Sequence, residues 1–260
     1  GKSLFMCHCA ASALLQGKNV LYITLEMAEE KIAERIDANL LNIPIQKLSD
    51  FPKVMFEKKI ANLSKKTQGK LIIKEYPTAS AHVGHFKSLL NDLALKRSIR
   101  PDIIFVDYLN ICASQRYKGS IVNSYTYVKA IAEELRGLAV EANVPIISAT
   151  QTTRSGYGSS DVDLTDTSES FGLPATADLM FALISTEELE GLGQIMVKQL
   201  KNRYNDPTSY KRFCIGIDRS KMRLYDIEES QKDLVDAGQP ETDLVQKFKS
   251  KKTFQDLKYD

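Results

Sequence analysis

The chain has 260 residues, of which 43% are apolar and 26% charged, and its formal net charge is +2. This composition indicates an ordinary globular chain, and it leaves any binding of a polyanion to local groups of basic residues. The four cysteines have spacings that fit neither a zinc ribbon nor a disulfide framework, and no apolar run approaches the roughly 18 residues of a membrane span. We therefore expect a protein of a reducing cytoplasm.

Apolar strand-like runs alternate with amphipathic helical patterns along the chain. Strands are predicted at residues 19–25, 103–106, 144–149, 179–184 and 195–200, and helices at 28–41, 86–96 and 122–143. The first three strands are apolar on both faces, which indicates a mostly parallel sheet covered by helices on both sides. Residues 213–217 and 222–227 predict an antiparallel hairpin at one edge of that sheet.

The periodicity ends near residue 227, so residues 1–227 are predicted to form one domain. Residues 228–260 mix both charge signs, contain Gly238 and Pro240 and have few large apolar side chains. A segment of this composition buries too little apolar surface to fold alone, and it is predicted to be a mobile or partner-binding tail.

Gly1-Lys2-Ser3 is the second half of the motif G-x-x-x-x-G-K-[ST], in which backbone N–H groups at a helix start hold phosphate oxygens. In this interpretation Lys2 binds the β- and γ-phosphates and Ser3 is a ligand of Mg²⁺. The tripeptide is common, so an ordinary helix start is the alternative. Because the chain begins inside the motif, we expect an upstream part to be missing and ATP to bind poorly without it.

Three polar residues follow predicted strands at what would be one edge of a parallel sheet. Asp107 ends an apolar strand about 100 residues after the phosphate loop, which favours a magnesium ligand over a simple turn cap. Glu26 could activate the water that attacks ATP, or it could only complement the start of the next helix. Gln151 could sense the γ-phosphate, or it could be a surface side chain.

Lys201 and Arg203 are two residues apart at the end of a predicted strand, so their side chains should point the same way. Such a pair suits a triphosphate bound to a neighbouring subunit, where an arginine acting in trans increases the rate by roughly 10³–10⁵. A basic surface edge is the alternative.

Two loops combine basic and aromatic residues, as single-strand binding surfaces do. Arg116 and Lys118 lie in one of them, and Arg154 and Tyr157 lie in the long segment between residues 152 and 176. Four acidic residues in the second segment argue against a simple basic groove. Ordinary solvated loops are the alternative for both.

Five segments together resemble the DnaB-like replicative helicases, and most of all the members found in T-even bacteriophages. They are GKS at 1–3, LYITLEM at 21–27, IIFVDYLN at 103–110, IISATQTTR at 146–154 and KQLKNRYNDP at 198–207. Their order and approximate spacing match the family, and the resemblance covers residues 1 to about 227. It implies an α/β fold of the RecA-like P-loop NTPase type.

The resemblance also implies roles for individual residues. By this likeness Lys2 and Ser3 are the Walker A lysine and the magnesium-binding hydroxyl, Glu26 is the catalytic base and Asp107 is the Walker B aspartate. Gln151 would couple nucleotide state to DNA, and Lys201 and Arg203 would enter the neighbouring subunit's ATP site. The polar turn at 202–207 is longer than is usual in the family, so the reach of Arg203 is less well defined.

The family implies a hexameric ring that encircles single-stranded DNA and moves 5′ to 3′ using ATP and Mg²⁺. A primase, a helicase-loading protein and a location in the cytoplasm of a bacterial host are also implied. Two other classes remain open on the sequence: a RecA-like recombinase or clock-type ATPase without unwinding activity, and a non-catalytic scaffold. The presence of Glu26, Asp107 and Gln151 together argues against the scaffold.

Overall fold

The computed structural model describes residues 1–117, 122–152, 172–205 and 210–227. Residues Gly1–Tyr225 form one compact unit, and a second unit comprises residues Asp226–Asp260. The predicted tail at 228–260 lies outside the described residues. Over the described ranges, no helix has the length and apolar character needed to cross a membrane.

A parallel sheet of four strands forms the first half of the chain. Its strands are β1 (Val20–Thr24), β2 (Leu71–Glu75), β3 (Ile103–Asp107) and β4 (Ile146–Ser148), in the spatial order β2-β1-β3-β4. β1 pairs with β3 in a register that sets Thr24 opposite Asp107. The carboxyl ends of the two central strands therefore lie side by side, where ligands of open α/β sheets bind.

Helices cover both faces of this sheet. They are α1 (Lys2–Leu15), α2 (Glu29–Leu41), α3 (Lys53–Lys66), α4 (Val83–Arg97) and α5 (Ser124–Ala142), with short 3₁₀ turns at Ile45–Lys47 and Leu109–Ile111. Because successive strand residues point to opposite faces, Tyr22 and Phe105 pack against α1 and α2, whereas Ile23 and Ile104 pack against α4 and α5. The predicted helix-covered parallel sheet is confirmed.

The second half of the chain forms an antiparallel sheet. Its strands are β5 (Leu179–Ile184), β6 (Gln194–Asn202), β7 (Arg212–Asp218) and β8 (Arg223–Tyr225), in the order β5-β6-β7-β8. The predicted hairpin is thus half of a four-stranded sheet. Leu4 of α1 packs in one cluster with Ile195, Ile217 and Leu224, so this sheet contacts the start of α1.

Several elements were not predicted from the sequence. β2 is only partly buried, and two of its five residues are charged, so its alternation is weak. α3 has exposed apolar residues, including Val54 at 77% exposure, which blurs a helical stripe. Two short helices, α6 (Gly172–Thr176) and α7 (Glu187–Gly191), lie before and after β5, and the first falls in what the sequence indicated was a continuous loop.

Candidate active site

Gly1, Lys2 and Ser3 lie at the start of α1, near the edge of the sheet where β1 and β3 end. Gly1 precedes the helix and its carbonyl oxygen accepts a hydrogen bond from the Phe5 amide at 3.0 Å. No side chain caps α1, and its first turn has no acidic residue. The N–H groups of a helix start that lack a side-chain partner, together with the helix dipole, bind anions such as phosphate.

The Lys2 ammonium group lies 4.0 Å from the centre of the Tyr108 ring. Burial lowers the pKa of Lys2, and the negative charges of Glu26 and Asp107 oppose that shift. Lys2 is therefore in the electrostatic field of both strand-end carboxylates. The fold brings these three predicted site residues into one neighbourhood.

Asp107 is the last residue of β3 and is fully buried. The Tyr22 hydroxyl donates a hydrogen bond to its Oδ2 at 2.9 Å. Burial raises the pKa of Tyr22 far above its usual range, with smaller contributions from Cys7 and Asp107, so this hydroxyl keeps its proton and acts as the donor. Asp107 Oδ1 is buried and has no hydrogen-bond partner among the described residues.

An unpaired buried carboxylate oxygen fits a cation, because buried polar atoms almost always have a partner. Among the residues that the structure describes, no group of three or more His, Cys, Asp or Glu side chains could hold a metal. Mg²⁺ is usually bound by one or two protein oxygens together with substrate phosphates. Asp107 Oδ1 and the Ser3 hydroxyl are the donors that suit this mode.

Glu26 is exposed and lies two residues beyond the end of β1. The Met27 amide donates to Thr24 Oγ1 at 3.1 Å, and Thr24 Oγ1 donates to the Met27 carbonyl at 2.7 Å, which closes a tight turn around Glu26. Glu29 begins α2 and accepts a hydrogen bond from the Glu75 amide at the end of β2. The acid that complements the helix start is thus Glu29, and Glu26 lies outside α2.

Gln151 lies three residues beyond the end of β4, and its side-chain amide donates to the Tyr108 hydroxyl at 3.1 Å. Tyr108 therefore contacts both Lys2 and Gln151. Sequence reasoning did not select Tyr108, although its position directly after Asp107 was an available signal. Burial raises the pKa of the Tyr108 phenol, and the charges of Glu26 and Asp107 add to the shift.

Lys201 and Arg203 do point the same way, because both donate to the Ala175 carbonyl oxygen, at 3.1 and 3.2 Å. Arg203 also pairs with Asp178 at 3.0 Å, and Arg136 of α5 pairs with the same carboxylate at 2.6 Å. The hydrogen bond from Arg136 lowers the pKa of Asp178, helped by the charge of Arg203. The described partners of both cations thus lie beside β5 and not at the phosphate loop.

Arg116 lies after the 3₁₀ turn that follows β3, and its guanidinium pairs with Glu133 of α5 at 2.5 Å. Glu134 accepts hydrogen bonds from the Gln115 and Arg116 amides at 2.9 and 3.2 Å and from the Ser114 hydroxyl at 2.7 Å. These contacts fix the segment to α5. The other predicted DNA-binding residues, Lys118, Arg154 and Tyr157, lie outside the described residues.

Comparison with known proteins adds sequence relatives. Residues 1–207 match the family of the DnaB-like helicase C terminal domain. The DnaB-like replicative helicase of Enterobacteria phage T4 is 47% identical over 232 residues, which cover 88% of this chain and 49% of that protein. A probable plasmid replicative DNA helicase of Chlamydia psittaci is 28% identical over 215 residues, covering 78% and 45%. The chain spans about half the length of these curated relatives.

Two solved structures share the fold. A DnaB-like replicative helicase, reported with its interactions with primase, superposes with a TM-score of 0.70 at 19% identity, covering 86% of this chain and 54% of that one. An ATPase domain of another protein superposes with a TM-score of 0.71 at 19% identity, covering 87% and 80%. With its strand-end acids beside a phosphate-loop lysine and a family match over residues 1–207, the chain belongs to the DnaB-like helicase C-terminal domain family.

Proposed function

We propose that this chain is the ATP-hydrolysing motor of a replicative DNA helicase. The observation that carries the proposal is the grouping of Lys2, Glu26 and Asp107, in which both carboxylates act on the pKa of the lysine. A cation flanked by two acids at the end of a parallel sheet suits a nucleotide triphosphate with its metal ion. Family membership favours a helicase over a recombinase or clock-type ATPase.

Each residue has a proposed role in hydrolysis. Gly1 and Lys2 bind the phosphates, Lys2 as a point charge on the β- and γ-oxygens. Ser3 and Asp107 hold Mg²⁺, which neutralises phosphate charge when it is bound. Glu26 is exposed at the crevice and accepts the proton of the attacking water, a contribution of roughly 10²–10⁴ in rate for a general base.

Gln151 is proposed to report the state of the nucleotide. Its side-chain amide bonds the Tyr108 hydroxyl, and the ring of Tyr108 contacts the Lys2 ammonium group. When Lys2 turns to a phosphate, its contact with the Tyr108 ring is lost, and the hydrogen bond to Gln151 changes with it. Residues 153–157 follow directly, including Arg154 and Tyr157, which are proposed to bind DNA with Arg116 and Lys118.

Lys201 and Arg203 are proposed to act on the ATP of a neighbouring copy in a hexameric ring. In the single chain they are held by Ala175 and Asp178, at a place remote in sequence from Lys2. A heterologous ring interface repeats the same contact around a closed circle, so each copy can supply its cations to the next. Single-stranded DNA would pass through the ring in the 5′ to 3′ direction of motion.

Primase and a helicase-loading protein are the proposed protein partners, acting in the cytoplasm of a bacterial host. The solved relative that was reported with its interactions with primase supports the first of these partners. The proposal for the loader rests on family membership alone.

The test uses the full-length protein with ATP, Mg²⁺ and a forked DNA duplex. We expect ATP hydrolysis stimulated by single-stranded DNA and separation of the fork. Glu26→Gln should lower hydrolysis by roughly 10²-fold or more while ATP still binds, because the base is lost and the phosphate contacts remain. Glu30→Gln is the matched control, since Glu30 is an exposed acid of the first turn of α2.

Other outcomes separate the alternatives. DNA-stimulated hydrolysis without strand separation would favour the recombinase or clock-type ATPase. ATP binding without hydrolysis in the unaltered protein would favour the scaffold. Equal loss of activity in Glu26→Gln and Glu30→Gln would remove Glu26 as the base.

A further inference from the structure

Tyr22 is a phenol at the centre of an otherwise apolar strand. It is 0% exposed, and its ring stacks on Phe105 of β3 with centroids 5.7 Å apart and planes 16° from parallel. The register of β1 and β3 sets these two residues directly opposite each other. The stack requires only a ring, so packing alone does not explain why a hydroxyl is present.

The hydroxyl of Tyr22 reaches the end of the neighbouring strand. It donates to Asp107 Oδ2 at 2.9 Å, and the Cys7 thiol of α1 lies 3.9 Å from the Tyr22 hydroxyl oxygen. A carboxylate only accepts hydrogen bonds, so the phenolic proton is directed at Asp107 and the thiol is the donor on the other side. Cys7, Tyr22 and Asp107 thus form one buried chain between α1 and β3.

The two oxygens of Asp107 have different surroundings. Oδ2 is held by Tyr22, whereas Oδ1 is buried and has no hydrogen-bond partner within the described part of the chain. The terminal torsion of an aspartate is broad and nearly two-fold, so an unrestrained carboxylate exchanges its oxygens easily. The bond from Tyr22 selects one orientation and leaves Oδ1 available for another ligand.

Cys7 extends this restraint to the helix that begins at the phosphate loop. It lies four residues after Ser3 on α1, so the two side chains are on the same face of the helix. The chain from Cys7 through Tyr22 therefore joins the helix that carries Ser3 to the carboxylate of Asp107. These are the two protein groups to which the proposed function assigns the magnesium ion.

We propose that Tyr22 is a positioning residue for a divalent cation: its hydroxyl orients Asp107 so that Oδ1 faces the metal and the metal-binding distance to α1 is kept. This inference rests on the proposed function, because it requires Asp107 to be a metal ligand. Groups that orient a metal ligand in this way typically change metal affinity about 10–100-fold when they are removed.

The test is Tyr22→Phe in the full-length protein, because phenylalanine keeps the stack on Phe105 and removes only the hydroxyl. Mn²⁺ binding is measured by electron paramagnetic resonance in the presence of a non-hydrolysable ATP analogue. We expect the Kd for Mn²⁺ to rise about tenfold. Binding of the same analogue in excess chelator should stay within about twofold, because the phosphate contacts of α1 are untouched.

Tyr76→Phe is the matched control, since Tyr76 is a partly buried tyrosine that packs on Phe86, away from Asp107. Its Mn²⁺ affinity should equal that of the unaltered protein. Asp107→Asn supplies the second comparison: in this background Tyr22→Phe should cause no further loss of Mn²⁺ affinity, because Tyr22 acts through the carboxylate.

The outcomes separate the inference from the function on which it rests. If Asp107→Asn weakens Mn²⁺ binding and Tyr22→Phe does not, Tyr22 is not a positioning residue, although Asp107 remains a ligand. If neither change affects Mn²⁺ binding, the metal role of Asp107 is wrong and the inference falls with it. Equal weakening of metal-free nucleotide binding by Tyr22→Phe would show a general structural effect and would also overturn the inference.

Discussion

The two sheets hold their functional candidates in different ways. At the parallel sheet, Lys2, Glu26 and Asp107 share one crevice, and Asp107 Oδ1 has no hydrogen-bond partner among the described residues. At the antiparallel sheet, Lys201 and Arg203 are engaged by the Ala175 carbonyl, and Arg203 also by the Asp178 carboxylate. The first region has unused bonding capacity, and the second has its cations occupied within the chain.

This difference is what a site shared between copies would require. A phosphate site has to present groups to a ligand that arrives from solvent, so its groups lack full partners before binding. Cations intended for another subunit would be costly if they were left unpaired before assembly, and contacts within the chain hold them in one direction. The comparison therefore predicts that the two regions respond differently to substitution.

The largest effect is expected for Arg203→Ala in the full-length protein. ATP hydrolysis should fall by about 10³-fold or more, because an arginine acting in trans stabilises the transition state and not the bound substrate. Nucleotide affinity, measured with a fluorescent analogue, should be unchanged. Arg100→Ala, an exposed arginine after α4, is the control.

Mixing two inactive proteins tests the trans arrangement directly. Rings assembled from Arg203→Ala and Glu26→Gln subunits contain some interfaces with an intact Glu26 on one side and an intact Arg203 on the other. Partial recovery of hydrolysis is expected. A mixture as inactive as its components would break the proposed division between the two regions.

A second, smaller effect concerns the cores of the two sheets. Ile104 of β3 is 1% exposed, whereas Leu179 of β5 is 47% exposed. Ile104→Ala should lower the free energy of unfolding by about 2–5 kcal/mol, because it removes buried methyl groups and leaves a cavity. Leu179→Ala should cost less than about 1 kcal/mol in the same urea titration. Equal losses would mean that Leu179 is covered in the assembled protein.

The smallest effect is the pH dependence of the Asp178 cluster. Arg136 and Arg203 hold the pKa of Asp178 below its ordinary value of 3.8, so the folded state binds the proton less readily than the unfolded state. The resulting stability is fully present above pH 3.8 and is lost as the pH falls through the lowered pKa.

Thermal unfolding between pH 5 and pH 2 measures this contribution. Asp178→Asn should remove part of the acid dependence seen in the unaltered protein. Asp92→Asn, which changes an exposed ion pair on α4, is the control. Identical acid dependence in all three proteins would mean that the cluster gives no net stability, as is common for exposed pairs.

The parallel sheet was predictable because its strands are short apolar runs that end in polar residues. Asp107, Glu26 and Gln151 could be selected from position alone, since parallel strands bring their carboxyl ends to one edge. The hairpin was also predicted, but not its extension into a four-stranded sheet. Antiparallel pairing of β5 with β6 depends on contacts between strands that neither sequence pattern contains.

Tyr22 and Tyr108 could not be assigned a contact from the sequence. An apolar strand with one tyrosine indicates a core position, and the hydrogen bond to Asp107 depends on the register between β1 and β3. The partners of Arg203 were hidden for the same reason, because Asp178 and Arg136 come from separate elements. Sequence spacing indicates which strand ends meet, whereas the register decides which atoms bond.

Helix α5 is a common support for two distant segments of the chain. Its Glu133 binds Arg116, and its Arg136, less than one turn away, binds Asp178, which in turn binds Arg203. A helix is stiff over such a short distance, with a rise of about 1.5 Å per residue. Any rotation or sliding of α5 must therefore carry both arginines with it or break an ion pair, so the helix mechanically couples the proposed DNA-binding loop to the cations proposed for a neighbouring copy.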